Sequence, residues 1–242
     1  MNKLRILNAG EGETKDPEIL MYGDVGYDWD GFRAADVGRC LQQLGNVPAI
    51  TCRINSMGGD VGEGLAIYNL LQSHGAQITT KNDGFALSSA ATIFCAGSKR
   101  MMGAGAVLMI HKPTCFSYGD AEELRKEAGI LDVLQTQVAG IYARTSGKSV
   151  DDCNAAMNAE TWLTGDEAKE MNLATDAVDG PAGPDGDDEE GDEEYGNFVP
   201  ARFRNCPAKF LARFKAGNRK TEAGDPWRRE MAKRWLQLHA HA

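Results

Sequence analysis

Paired cysteines, clustered histidines and long apolar runs are all missing from this chain. Its six cysteines (Cys40, Cys52, Cys95, Cys115, Cys153 and Cys206) contain no CxxC and no paired spacing. That excludes a disulfide scaffold and argues against a zinc site. Several lie in apolar runs, such as Ile93-Phe94-Cys95-Ala96, where a free thiol acts as a small hydrophobe. This usage fits a reducing compartment. No apolar run approaches bilayer-spanning length, and the N-terminus has no apolar signal core, so a soluble intracellular protein without membrane attachment is expected. A GxxxxGK[ST] phosphate loop is absent, as is the GxSxG elbow of α/β-hydrolases, which removes two common enzyme classes. Histidine is scarce. Two of the four, His239 and His241, belong to the extreme tail, His74 closes a helical pattern, and the remaining one is His111.

The formal charge of −9 over 242 residues is unevenly spread. Residues 185–194 hold eight acidic side chains in ten, whereas residues 200–242 hold eleven Lys and Arg against three Asp and Glu, a balance of +8. Residues 1–199 therefore carry −17. An acidic body with a basic tail points to a solvated or partner-binding appendage. The expected organisation is a loose arm over 1–17, one domain over 18–179, an acidic Gly- and Pro-rich linker over 180–199, and a basic, partly helical tail over 200–242.

Within the domain, strand-like and helix-like patterns alternate. Strands are expected at 18–22, 49–54, 77–81, 100–102 and 106–110. Helices are expected at 30–44, after Asp60, at 88–96, at 120–144 and at 150–158. Strands joined by crossover helices predict an α/β fold with a largely parallel sheet.

Two stretches carry chemistry. In Gly84-Phe85-Ala86-Leu87-Ser88-Ser89-Ala90, an apolar run ends in small residues and a serine opens an Ala-rich helix. In Val107-Leu108-Met109-Ile110-His111-Lys112-Pro113, an apolar strand delivers one histidine and then breaks. A serine at a helix start is ordinarily an N-cap, and a lone histidine after a strand is ordinarily a hydrogen-bonded core residue. Together, however, Ser88 and His111 suit nucleophile and base in acyl transfer, with small neighbours leaving room for a bound chain. Gly58-Gly59, between a strand and a helix, serves a tight turn and also suits a backbone oxyanion donor. A carboxylate is needed to orient the imidazole; spacing alone does not choose Glu160 over Asp151, Asp166 or Asp176.

Four ordered motifs resemble the Clp protease proteolytic subunit family, and most closely its phage-encoded head maturation relatives. They are Ile54-Asn55-Ser56-Met57-Gly58-Gly59-Asp60-Val61, the Gly-x-Ala-x-Ser ending at Ser88, Met109-Ile110-His111-Lys112-Pro113, and Glu160-Thr161-Trp162-Leu163-Thr164. The resemblance covers residues 18–179. It implies a ClpP/crotonase-like α/β fold of repeated ββα units, with a protruding handle helix from Asp120 onward and a flexible C-terminal tail. It further implies a serine endopeptidase with Ser88 as nucleophile, His111 as base and Glu160 as third member. The backbone N–H groups of Gly59 and Ser89 fall where the family places its oxyanion hole. Polypeptide substrates, a homo-oligomeric heptamer or double ring and a cytoplasmic location follow, with no metal, cofactor or nucleic acid. Phage capsid or scaffold protein, within an assembling procapsid, is the expected substrate. Met57 replaces the family's usual proline, and Glu160 replaces the aspartate of housekeeping subunits. The arm does not look like the axial loop that works with an unfoldase ATPase, so ATP-independent cleavage is expected. A housekeeping-type ATP-dependent Clp peptidase subunit, a crotonase-fold acyl-CoA enzyme, a signal-peptide peptidase-like enzyme and a non-catalytic assembly subunit are the rivals.

Overall fold

The computed structural model describes residues 4–7, 16–26, 31–178 and 205–207. Two compact units divide the chain, Met1–Gly191 and Asp192–Ala242. Only residues 205–207 of the second are described, so the linker and nearly all of the basic tail lie outside the described residues, as does part of the arm.

The elements of the first unit run β1 (Leu4–Leu7), β2 (Glu18–Tyr22), β3 (Asp24–Val25), β4 (Gly31–Phe32), α1 (Ala34–Leu44), β5 (Ala49–Ser56) and α2 (Val61–Ser73). Then follow β6 (Gln77–Leu87), α3 (Ser89–Phe94), β7 (Lys99–Met102), β8 (Val107–Ile110), α4 (Ala121–Ser146), α5 (Val150–Ala159), β9 (Thr161–Leu163), α6 (Gly165–Glu170) and β10 (Asp176–Ala177). Eight strands make one sheet in the order β1-β2-β5-β6-β7-β10, with β8 on β6 and β9 on β8. Pairing is parallel except at β1/β2 and β8/β9.

Period-two burial builds the centre of the sheet. Along β5, Ile50, Cys52, Ile54 and Ser56 are buried while their neighbours stay half-exposed, as alternating side-chain direction requires. All four residues of β8 are buried, the pattern of a strand covered on both faces. Leu4–Leu7, which the sequence places in a loose arm, instead pairs antiparallel with β2.

The central device is β6. Its first part pairs with β7 through Thr79 to Asn82, and its last part pairs with β8 through Phe85 to Leu87. The strand therefore runs past the expected end at Lys81 and changes neighbour around Asp83-Gly84. Buried Asn82 holds the changeover: its amide donates to the Val107 carbonyl (2.9 Å) and its oxygen accepts from the Gly84 N–H (3.1 Å). A buried polar side chain with both ends satisfied specifies geometry rather than destabilising it. The outcome is that Leu87, the last residue of β6, lies beside Met109 of β8.

α4 begins at a capping box, with the Asp120 carboxylate accepting from the Glu122 and Glu123 N–H groups. Its residues 121–130 are all exposed, and burial starts in earnest only at Val138. Its N-terminal turns thus project from the core, as the handle expectation requires.

Candidate active site

The turn from β6 into α3 sets Ser88. It stands at the N-cap position of α3, but its side chain makes no capping hydrogen bond. Its backbone is at φ 57°, ψ −125°, a conformation rarely adopted by a non-glycine residue. Such a residue costs about 1–3 kcal/mol and persists only where its surroundings over-determine it. Here the Ser88 N–H donates to the Met109 carbonyl (2.9 Å), while its own carbonyl accepts from Ala91 (3.0 Å). The ordinary cap role is thereby overturned: the hydroxyl is turned away from α3. It lies 2.7 Å from Nε2 of His111, which follows β8 directly. Ser88 and His111 are both half-buried, within reach of solvent.

Glycine at 58 is a steric requirement. Gly58 is buried at φ +86°, and a Cβ there would stand 2.5 Å from the Leu87 carbonyl oxygen and 2.7 Å from Ser88 Cβ. The same Cβ would be 3.1 Å from the Ser89 nitrogen, so this loop lies directly against the nucleophile turn. A parallel bridge to Val25 fixes it, using the Gly58 carbonyl (2.8 Å) and the Asp60 N–H (2.9 Å). The exposed Gly59 between them has its N–H outside that pairing. Ser89, as the first residue of α3, has an N–H that no helical carbonyl can accept. Ser89 is thus the chain neighbour of Ser88, and Gly59 follows the glycine that packs against the Ser88 turn.

Glu160 is buried, with 7% exposure, and caps the C-terminal end of α5 at φ 53°. Its N–H donates to the Met157 carbonyl (3.2 Å), and its Oε1 accepts from the Trp162 indole N–H (3.2 Å). The β8/β9 register pairs Leu108 with Leu163, Met109 with Trp162 and Ile110 with Thr161. Glu160 immediately precedes β9 and His111 immediately follows β8, so both lie at the same end of this antiparallel pair. The three rivals behave differently. Asp151 and Asp166 lie in the first turns of α5 and α6, and Asp176 is exposed on β10. Among the described residues, no group of three His, Cys, Asp or Glu is placed to hold a metal ion.

Comparison with known proteins shows the family and the fold. The family model for Clp protease matches residues 39–180. The chain belongs to the Clp protease family. It is 32% identical over 131 residues to an ATP-dependent Clp protease proteolytic subunit of Bacteroides fragilis, covering 53% of this chain and 63% of that relative. It is likewise 32% identical over 117 residues to the ATP-dependent Clp protease proteolytic subunit 1 of Leifsonia xyli, covering 48% and 59%. The chain thus spans about three fifths of the curated relatives it matches. A solved ClpP1 mutant from Listeria monocytogenes superposes with a TM-score of 0.58 at 24% identity, over 66% of this chain and 90% of that one. That likeness shows the fold: the Clp proteolytic subunit fold is present. No helix among the described residues is long and apolar enough to cross a membrane.

Trp162 was not singled out from the sequence. The signal was available, because residues i and i+2 share a face of a strand, and Glu160 immediately precedes β9. Asn82 and Val25 were missed too, and nothing in residue type or spacing marks them.

Proposed function

We propose that this chain is a serine endopeptidase working through Ser88, His111 and Glu160. The observation that carries it is the 2.7 Å contact between Ser88 Oγ and His111 Nε2, made by a serine turned out of its capping position. With Nε2 unprotonated, the Ser88 hydroxyl donates to it. Oγ then attacks the scissile carbonyl carbon as its proton passes to Nε2, and the carbonyl oxygen becomes an oxyanion. The N–H groups of Gly59 and Ser89 receive that charge; each such donor is ordinarily worth roughly 10²–10³ in rate. His111 returns the proton to the leaving amine, and water repeats the sequence on the acyl-serine. Glu160, at the same end of the β8/β9 pair as His111, holds the imidazole with Nε2 toward serine.

The assembled form is a homo-oligomeric ring enclosing the sites. Supporting this, the projecting part of α4 carries exposed Leu124, Ile130 and Val133, a surface suited to covering by another subunit. The substrate is polypeptide, and the location is the cytoplasm of the host cell or an assembling procapsid. Processing of phage capsid or scaffold protein is the specific role. It rests on Glu160 and Met57, which depart from the housekeeping pattern, and on the appended acidic and basic segments. The names of the matched relatives favour a second role, as the peptidase partner of an unfoldase ATPase. Stimulation of protein degradation by an added unfoldase and ATP would decide for that second role.

The primary test is intact mass after incubation with a fluorophosphonate probe. One adduct on the assembled wild type and none on Ser88→Ala or His111→Ala is expected. An unlabelled wild type in a sample shown to be ring-assembled overturns the proposal and favours an acyl-CoA or structural role.

A further inference from the structure

A glutamate at the third position raises a problem that an aspartate does not. Its carboxylate sits one methylene farther from the backbone, with an extra torsion to fix. The backbone of Glu160 is well held. Its N–H is bonded to Met157, its φ of 53° closes α5, and the next residue ties back through Thr161 Oγ1 to the Ala156 carbonyl (2.7 Å). These contacts aim the Cα–Cβ bond; the position of the carboxylate is set by what the side chain itself touches. The Trp162 indole reaches the carboxylate, donating to Oε1 at 3.2 Å from a side chain that is itself only 7% exposed.

We propose that Trp162 is the positioning residue of this site, its indole N–H fixing the Glu160 carboxylate so that it meets the His111 imidazole. This rests on the reading of Ser88, His111 and Glu160 as the reacting triad. The chemistry of the donor fits the task. An indole donates and does not accept, so it holds the carboxylate in one orientation. Being neutral, it does so without the competing positive charge that an arginine would bring, and the full anionic charge stays available to an imidazolium. One donor on Oε1 leaves Oε2 and a second lone pair on Oε1 for other partners. His111 engages Ser88 through Nε2, so Nδ1 is the ring atom left for Glu160. The placement also couples two parts of the site. Trp162 pairs across the strands with Met109, the residue whose carbonyl accepts the Ser88 N–H. The same pair of strands therefore sets the nucleophile backbone and the orienting carboxylate.

The test compares wild type, Trp162→Phe, Glu160→Gln and the double variant, in ring-assembled protein, by turnover of a small peptide ester. Phenylalanine keeps an aromatic body against Met109 and removes only the N–H. A hydrogen bond to a charged group, lost in this way, should lower kcat by roughly tenfold or more. KM should stay within about twofold, because the group touches no substrate. Carboxylate-to-amide replacement in an analogous triad costs roughly 10⁴. In the Glu160→Gln background, Trp162→Phe should cost almost nothing further, since its effect runs through the carboxylate. A purely structural role would multiply the two losses, and multiplication overturns the proposal, as does wild-type kcat in Trp162→Phe.

A measurement independent of turnover keeps the claim exposed. With nitrogen-15 tryptophan incorporated, the indole N–H resonance that disappears in Trp162→Phe must shift upfield in Glu160→Gln, because a neutral acceptor binds the proton more weakly. An unmoved resonance overturns the proposal. A wild type without esterase activity would overturn the peptidase reading instead, and the indole resonance would then decide the Trp162 inference alone.

Discussion

Replacing Gly58 by alanine tests the steric logic of the site most directly, and Gly45 supplies its control. Gly45 sits at φ +61° with nothing within 4 Å of a built Cβ, whereas Gly58 sits at φ +86° against Leu87, Ser88 and Ser89. At both positions alanine incurs the cost of a positive φ, about 1–2 kcal/mol. Only at position 58 does the methyl also meet backbone and the nucleophile's own Cβ, at 2.5 and 2.7 Å. Overpacking of that kind adds about 1–3 kcal/mol. The expected destabilisation is thus about 1–2 kcal/mol for Gly45→Ala and about 2–5 kcal/mol for Gly58→Ala. At about 2–4 °C per kcal/mol for a domain of this size, the melting points should fall by about 2–8 °C and 4–20 °C respectively. The activity contrast should be sharper. Relief of the clash moves Ser88 and the Ser89 N–H, and a displacement of about 1 Å costs roughly 10² in rate. Fluorophosphonate labelling rates, measured well below either melting point, should therefore drop roughly a hundredfold for Gly58→Ala and stay at the wild-type value for Gly45→Ala. Equal melting shifts together with wild-type labelling of Gly58→Ala would refute the claim that this loop is packed against the nucleophile.

Two further outcomes follow from the core. Burial pushes the Cys52 and Cys95 thiols up to about 12, whereas an unfolded thiol titrates near about 8.5. Above that value the unfolded chain releases protons that the folded chain keeps. Stability is therefore intact below about pH 8.5 and declines toward pH 12, by about 1.4 kcal/mol per pH unit for each thiol. Urea midpoints at pH 8 and pH 10.5 read this directly, and a Cys52→Ala, Cys95→Ala variant with the same pH slope would disprove it. Asp83 accepts from Tyr22 Oη (2.8 Å) and Arg53 Nε (2.7 Å), with Lys81 Nζ 3.5 Å away, and its hydrogen bond holds the Arg53 guanidinium charged. Because Arg53 is 31% exposed, solvent screens part of the loss, and Asp83→Asn should cost about 1–2 kcal/mol. A denaturation midpoint identical to wild type at low salt would show the cluster to be idle.

The residues that announced themselves in the sequence were those whose chemistry and local setting coincide. Ser88 ends an apolar run and opens a helix, and His111 ends a buried strand, so residue type and element boundary together marked both. Long periodic elements such as β5, α2 and α4 were legible for the same reason: alternation or helical spacing persists over enough residues to be read. What stayed hidden depends on distant partners. β3 and β4 have two residues each, too few for any periodicity, and exist because Val25 reaches the Gly58-Gly59 loop. The full length of β6 was masked by Asp83-Gly84, whose turn-like composition marks a change of strand partner rather than an end. The unusual backbone of Ser88 could not be read at all. It is imposed by Met109 from β8 and by Gly58 from another loop, and neither lies near it in the chain. Glu160 was reachable only through family resemblance, because its burial and its place beside β9 are tertiary properties that spacing does not show.

The antiparallel pairing of β8 with β9 has a consequence for the order of events in the cell. The ribosome delivers Ser88 and His111 long before Glu160 and Trp162, which arrive with the last third of the domain. A nascent chain stalled before that point has its serine and histidine but lacks the strand that brings the orienting carboxylate. On the roles proposed above, such a chain is chemically quiet, and its hydrolytic power arises only when the late strand docks. Completion of the fold therefore serves as its own safety catch during synthesis.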